Sequence, residues 1–62
     1  MDRQDLYDIA FDILCGIFEE EPDREIVEEV ISYVEDIDMD EETAICTIKG
    51  ICSNMFDENP KN

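Results

Sequence analysis

The sequence predicts an all-α protein, a small antiparallel three-helix bundle. Hydrophobic residues recur at helical spacing in three segments, and two short acidic stretches separate them. Connections this short place neighbouring helices antiparallel. The domain is predicted over residues 1–56, with a flexible tail over residues 57–62. Because a chain of 62 residues buries only about 60% of the surface that it exposes when unfolded, dimerisation is one way to complete its core.

The first helix is predicted over about residues 2–20. Its polar residues recur every third or fourth position and fall on one arc of about 80° at the helical period. The members of this arc are Asp5, Asp8, Asp12, Gly16 and Glu19. Hydrophobic residues occupy roughly two-thirds of the circumference, which is wider than the stripe of an ordinary surface helix. We therefore expect two partner helices, a second copy of the chain or a target to cover this face.

The second helix is predicted over about residues 22–36. Pro22 suits the first helical turn, and the acids that follow it are favoured by the helix dipole. One face is apolar, and the opposite face carries five carboxylates and no cation. These five belong to Glu25, Glu28, Glu29, Glu35 and Asp36. The pattern predicts a helix that is buried on one face and strongly acidic on the other.

The third helix is predicted over about residues 40–56. Asp40 is a favourable N-cap, and Asp38 with Glu41 forms an alternative capping box. The face opposite the apolar stripe carries small residues around Gly50. A glycine inside a helix costs up to about 1 kcal/mol relative to alanine. Close approach of another helix would explain this glycine, and the alternative is an ordinary polar surface.

Several classes of site lack their usual residues. The chain has no histidine, the commonest general base and a usual zinc ligand, and its three scattered cysteines do not form a four-cysteine site. The acidic run 36–40 resembles the start of a calcium loop, but Glu41 and Thr47 stand where that loop has glycine and glutamate. We therefore expect no enzyme, no cofactor and no metal. The odd number of cysteines predicts a reducing compartment, the cytoplasm.

Charge is distributed unevenly along the chain. The formal net charge is −15, and residues 1–42 hold 17 of the 19 acids while residues 43–56 hold none. Such a surface repels nucleic acid and anionic lipid and attracts cationic surfaces. We therefore expect no membrane, no direct nucleic acid, and a partner protein with a basic surface. The candidate contact residues are Asp5, Asp8, Asp12, Glu19, Glu20, Glu21, Glu25, Glu28, Glu29, Glu35 and Asp36.

In size and charge, the chain resembles small inhibitors from phages and mobile elements, which block nucleic-acid-binding proteins by imitating DNA. This resemblance implies a non-enzymatic inhibitor that occupies the basic surface of a nucleic-acid-binding or defence protein. The alternative is a helical interaction module or homodimer whose hydrophobic surface binds the partner, with the acidic charge serving solubility. Its candidate contacts are Phe11, Phe18, Thr43, Cys46, Thr47 and Gly50.

Overall fold

The computed structural model describes residues 2–56, which form three α-helices packed together. The helices are α1 (Arg3–Phe18), α2 (Arg24–Ser32) and α3 (Glu41–Phe56). Helix α1 contacts both of the others extensively, and the contact between α2 and α3 is the smallest of the three. The predicted all-α three-helix bundle is confirmed. The predicted tail, residues 57–62, lies outside the described residues.

Helices α1 and α2 run in opposite directions. Arg3, at the start of α1, forms an ion pair with Glu35, which follows the end of α2, and their Nε–Oε1 distance is 3.0 Å. At the other end of α1, Phe18 lines a surface depression together with Ile26 from the first turn of α2. The short connection over residues 19–23 thus gives the antiparallel arrangement that its length predicts.

Helices α1 and α3 run in the same direction. Near their starts, Asp5 and Asp8 of α1 line one surface depression with Glu41 of α3. At their ends, the rings of Phe18 and Phe56 meet edge to face, with centroids 5.3 Å apart. The acids at the beginnings of α1 and α3 consequently lie at the same end of the bundle.

The core is formed by apolar residues on one face of each helix. Its ten buried members are Leu6, Ala10, Leu14, Val27, Val30, Ile31, Val34, Ala44, Ile48 and Cys52. No polar or charged side chain is buried within residues 2–56. The hydrophobic residues that widen the apolar face of α1, such as Ile9, Ile13 and Phe18, are half-buried against this core. The two partner helices therefore cover most of that wide face.

Helix α1 ends at Phe18, about two residues earlier than predicted, because Glu19 adopts a left-handed backbone conformation. Its φ is 61° and its ψ is 28°, and its backbone N–H donates to the carbonyl oxygen of Cys15 at 2.8 Å. Glycine is the usual residue in this conformation at a helix end, since a Cβ atom there costs about 1–2 kcal/mol. The end of α1 therefore carries backbone strain.

The start of α2 lies later than predicted. Asp23 has an extended backbone and precedes the first helical residue, although its side chain makes no capping hydrogen bond. Pro22 is buried but lies before the helix rather than in its first turn. Because a proline ring fixes φ near −65°, Pro22 also fits the extended connection that precedes Asp23.

The end of α2 lies earlier than predicted, at Ser32 rather than near Asp36. The hydroxyl of Ser32 donates to the carbonyl oxygen of Glu29 at 2.6 Å, which is the acceptor that an α-helix would offer to the backbone N–H of Tyr33. That N–H donates instead to the carbonyl oxygen of Val30 at 3.2 Å. Serine often competes with helical hydrogen bonds in this way, and the chain continues in turns after α2.

The start of α3 is capped by Asp40. Its Oδ1 accepts a hydrogen bond from the backbone N–H of Thr43 at 2.9 Å, and no capping bond from Asp38 occurs among the described residues. The side chain of Thr43 and the hydrogen bond from its backbone N–H lower the pKa of Asp40. Of the two caps that the sequence allows, the structure therefore uses Asp40.

Replacing Glu19 with glycine is expected to raise the free energy of unfolding by about 1 kcal/mol relative to Glu19→Ala. Both variants remove the carboxylate, but only glycine removes the Cβ atom from the left-handed conformation. Urea unfolding followed by far-UV circular dichroism measures the difference. Glu20→Gly is the control, and it should show no such gain. A Glu19→Gly midpoint at or below that of Glu19→Ala would contradict the assignment of strain.

Replacing Asp40 with alanine is expected to lower the urea midpoint at neutral pH, whereas Asp38→Ala should not. Because the pKa of Asp40 is lowered in the folded chain, its stabilisation is present above the ordinary aspartate pKa of about 3.9 and is lost as the pH falls through the lowered value. The gap between wild type and Asp40→Ala should therefore close in acid. A gap that is independent of pH would rule out a charged cap.

Candidate functional site

The predicted acidic contact residues lie on the surface of the bundle. Ten of the eleven side chains are exposed, and that of Glu28 is half-buried. On α1, Asp5, Asp8 and Asp12 occupy the face opposite the buried residues, three or four positions apart. Residues at this spacing have Cβ atoms about 5–6 Å apart. These three carboxylates form a row along the outside of α1, here called the α1 acidic row.

Glu41, the first residue of α3, extends the α1 acidic row. Asp5, Asp8 and Glu41 line one surface depression of about 240 Å³, together with Ile9. Within residues 2–56, no group of three or more histidine, cysteine, aspartate or glutamate side chains is arranged to hold a metal ion. A depression lined by separate carboxylates suits a larger cation, such as an ammonium or guanidinium group, which donates strong hydrogen bonds to them.

Glu41 was not among the predicted contact residues. The sequence places it 36 positions after Asp5, and only the common direction of α1 and α3 brings the two together. The predicted topology could have indicated this contact, because the first and third helices of an up-down-up bundle start at the same end. The acids nearest those two starts are therefore neighbours in space.

Two of the five carboxylates predicted for the outer face of the second helix have cationic partners within the chain. Nε of Arg24 donates to Glu28 at 3.0 Å, and Nε of Arg3 donates to Glu35 at 3.0 Å. The first pair has the i,i+4 spacing that is visible in the sequence, whereas the second joins residues 32 positions apart. Arginines therefore reach a face that was predicted to carry acids alone. The other acids of this face are Glu25, Glu29 and Asp36.

A groove between α1 and α2 separates the α1 acidic row from the acids of α2. A depression of about 390 Å³ in this groove is lined by Arg3, Gln4, Tyr7, Arg24 and Glu28. Glu28 raises the pKa of Arg24, first through their hydrogen bond and then through charge attraction. Because both arginines lie in this groove, the two acidic faces do not merge into one continuous surface.

The acidic connection between α1 and α2 lies at the opposite end of α1 from Asp5. Glu19, Glu20 and Glu21 are all exposed there. A helix of 16 residues is about 24 Å long, so this cluster and the depression at Glu41 are too far apart for one cationic side chain to contact both. The predicted acidic contacts therefore divide into separate groups.

Phe11 and Phe18, predicted as oligomer contacts, pack within the chain. The ring of Phe18 meets that of Phe56 edge to face at 5.3 Å, and the ring of Phe11 stacks on that of Tyr7 with centroids 6.3 Å apart. Both phenylalanines are half-buried and pack against the core. Packing within the chain buries much of the surface of these two rings, and the buried part cannot contact a second copy.

The other predicted oligomer contacts lie on the outer face of α3. Thr43, Cys46 and Gly50 are exposed, and Thr47 is half-buried. A Cβ atom added to Gly50 would meet no atom within 4 Å, so packing among the described residues does not require this glycine. The third cysteine of the chain, Cys52, is buried, and burial raises the pKa of its thiol.

Among residues 2–56, the most exposed large hydrophobic side chains are Tyr33 and Ile37, which are 55% and 52% exposed. Neither was predicted as a contact residue, because in the sequence both stand beside the apolar stripe of the second helix. The early end of α2 at Ser32 explains the difference, since neither residue lies within the helix. Tyr33 lines a depression of about 220 Å³ with Ile51, Asn54 and Met55 of α3.

Comparison with protein-family models, with curated proteins and with solved structures gave no match. No helix among the described residues is long and apolar enough to cross a membrane. The geometry of the surface is therefore the basis for any functional proposal.

Replacing Gly50 with alanine is expected to raise the free energy of unfolding by about 1 kcal/mol, because the backbone is helical and the added Cβ atom enters open space. Gly16→Ala is the matched control, since Gly16 also lies inside a helix and beside open space. Urea unfolding and sedimentation velocity of both variants measure the effect. If Gly50→Ala alone were destabilised and reduced a dimer to a monomer, the outer face of α3 would be an interface between two copies.

Proposed function

We propose that this chain is a non-enzymatic acidic binding protein, which docks on the basic surface of a partner protein. The observation that carries this proposal is the depression lined by Asp5, Asp8 and Glu41, where carboxylates of two helices lie together at one end of the bundle. Asp12 continues the row along α1. A lysine or arginine of the partner would occupy the depression and donate charged hydrogen bonds to the carboxylates.

The charge of the whole chain supports a cationic partner. The net charge is −15, and two of the three basic residues within residues 2–56 already pair with glutamates. Such a field attracts basic surfaces, speeds their association and repels nucleic acid and anionic lipid. A negative charge this large exceeds the magnitude of about 2–8 that keeps a small domain soluble, which favours recognition as its role.

The partner class that best fits is a nucleic-acid-binding enzyme or a defence complex. Such proteins carry lysines and arginines along a groove that normally holds phosphates. The carboxylates of the α1 acidic row repeat at about 5–6 Å, so they present negative charges in a line, as a nucleic-acid backbone does at closer spacing. In this proposal the chain acts in the cytoplasm as a stoichiometric inhibitor of the phage or mobile-element type.

The chemistry of the side chains supports binding rather than catalysis as the proposed activity. There is no histidine in the chain, and the core of the described residues contains no polar or charged side chain. The one buried thiol, that of Cys52, has a raised pKa because of its burial and is therefore a poor nucleophile. Binding is the activity that these surfaces support.

Neutralising the depression is expected to weaken inhibition at least about tenfold. The test variant carries Asp5→Asn, Asp8→Asn and Glu41→Gln. The control variant has the same net charge but is changed at the other end of α1, by Glu20→Gln, Glu21→Gln and Asp23→Asn. In a panel of basic nucleic-acid enzymes, the chain should release labelled duplex DNA from at least one. The test variant should need at least about tenfold more protein for the same release, about 1.4 kcal/mol, and the control should not.

Salt dependence provides the second readout of the same assay. The range of charge attraction falls from about 10 Å at 0.1 M salt to about 3 Å at 1 M, so release should weaken steeply as salt rises. Equal losses in the two variants would contradict a localised site and leave only a general charge effect. Release that does not change with salt would contradict the proposal as a whole.

A further inference from the structure

A second candidate surface lies between α2 and α3. The contact between these two helices is the smallest in the bundle, and Tyr33, Ile51, Asn54 and Met55 line a depression there. We call these four residues the α2–α3 groove. Three of them are large and apolar or aromatic, and Tyr33 is 55% exposed. In a three-helix bundle this groove lies on the side away from α1, so it is separate from the α1 acidic row.

The position of Tyr33 follows from the local structure at the end of α2. Its backbone N–H donates to Val30 rather than to Glu29, so Tyr33 begins the turns that follow the helix. The next residues are held by hydrogen bonds from Val34 and Glu35 to Ile31, at 3.0 and 2.8 Å. A large aromatic side chain is thus presented on ordered backbone, which limits the entropy that a ligand must remove on binding.

The two edges of the groove differ in charge. On the α2 side, Glu29 lies one helical turn before Tyr33, and Asp36 lies three residues after it. Both acids are exposed, and neither forms an ion pair with another residue of the described range. On the α3 side, Gly50 and Asn54 are exposed and uncharged. The chain therefore carries acids beside Tyr33, here called the acidic edge of the groove, and, within residues 2–56, no acid beside Ile51, Asn54 and Met55.

We propose that the α2–α3 groove binds an amphipathic, positively charged helix of a partner protein. The partner helix inserts a large apolar side chain into the depression and places a lysine or arginine beside Glu29. Grooves between two helices commonly bind the apolar face of a third, and a tyrosine at the centre of such a contact often dominates its affinity. The one-turn spacing of Glu29 and Tyr33 matches two residues one turn apart on the ligand.

A second copy of this chain is the wrong ligand for this groove. It would bring another net charge of −15 against the acidic edge, and like charges in contact oppose association. The helices of this chain also carry few cations: the arginines of α1 and α2 pair with glutamates of the same chain, and Lys49 is the one cation of α3. The chemistry of the groove edge therefore selects a cationic helix from another protein.

Two synthetic peptides of equal positive charge test this proposal. One is an amphipathic helix of lysine and leucine, and the other replaces each leucine with serine. In calorimetric titrations, the leucine peptide is expected to bind the chain at least about tenfold more tightly than the serine peptide. In NMR titrations, the leucine peptide is expected to shift the signals of Tyr33, Ile51 and Met55. Equal affinities for the two peptides, or shifts confined to other residues, would overturn the proposal.

Variants of the chain give an independent readout. Tyr33→Ser should weaken binding of the leucine peptide at least about tenfold, whereas Ile45→Ser, at an exposed hydrophobic residue outside the groove, should not. Circular dichroism verifies that both variants keep their helices. If Tyr33→Ser failed to fold, the shift map of the wild-type chain would still decide the outcome. Equal effects of the two substitutions would overturn the proposal.

Binding in the α2–α3 groove and binding at the α1 acidic row can be tested separately. Combined neutralisation of Asp5, Asp8 and Glu41 should leave the preference for the leucine peptide intact, because these residues lie away from the groove. Loss of that preference would overturn binding in the groove. Concentration-dependent self-association that Tyr33→Ser abolishes would show instead that a second copy occupies the groove, and it would also overturn the proposal.

Discussion

Burial of ten apolar side chains has to hold this bundle together against the repulsion of its own charges. A net charge of −15 destabilises the compact state through self-repulsion. Only two ion pairs join the described residues, and all four side chains are partly exposed, so these pairs offset little of it. Hydrophobic burial is the one large favourable contribution. Each acid must therefore lie where water and salt screen it, which means on the outer face of a helix or in an exposed connection.

Because of this constraint, the acids of α1 are arranged in a regular row on the surface. Because α1 is covered on two sides by α2 and α3, its acids are confined to the narrow outer arc that holds Asp5, Asp8 and Asp12. Confinement to an arc on a helix aligns side chains into a row, since residues three or four positions apart are neighbours. The α1 acidic row is thus a consequence of packing as well as of composition, and the common direction of α1 and α3 adds Glu41 to it.

Local patterns in the sequence were enough to predict the helices, the apolar face of each and the exposure of the acids. The helix ends were predicted less well, because Glu19 adopts a conformation that is typical of glycine and Ser32 competes for a helical acceptor. Contacts between distant residues could not be predicted from periodicity. The ion pair of Arg3 with Glu35 depends on how the helices are directed in space, and so does the groove at Tyr33.

The size of the chain limits how it can bind. Its accessible surface is 4362 Å², so an interface of standard size, about 800 Å² per partner, would cover roughly a fifth of it. One row of carboxylates on one helix is too small for that, and the acids at the start of α3 are needed to widen the contact. An interface there leaves the α2–α3 groove uncovered on the other side. Since the charge outside either contact stays strongly negative, both sides attract cationic partners, and copies of the chain repel one another.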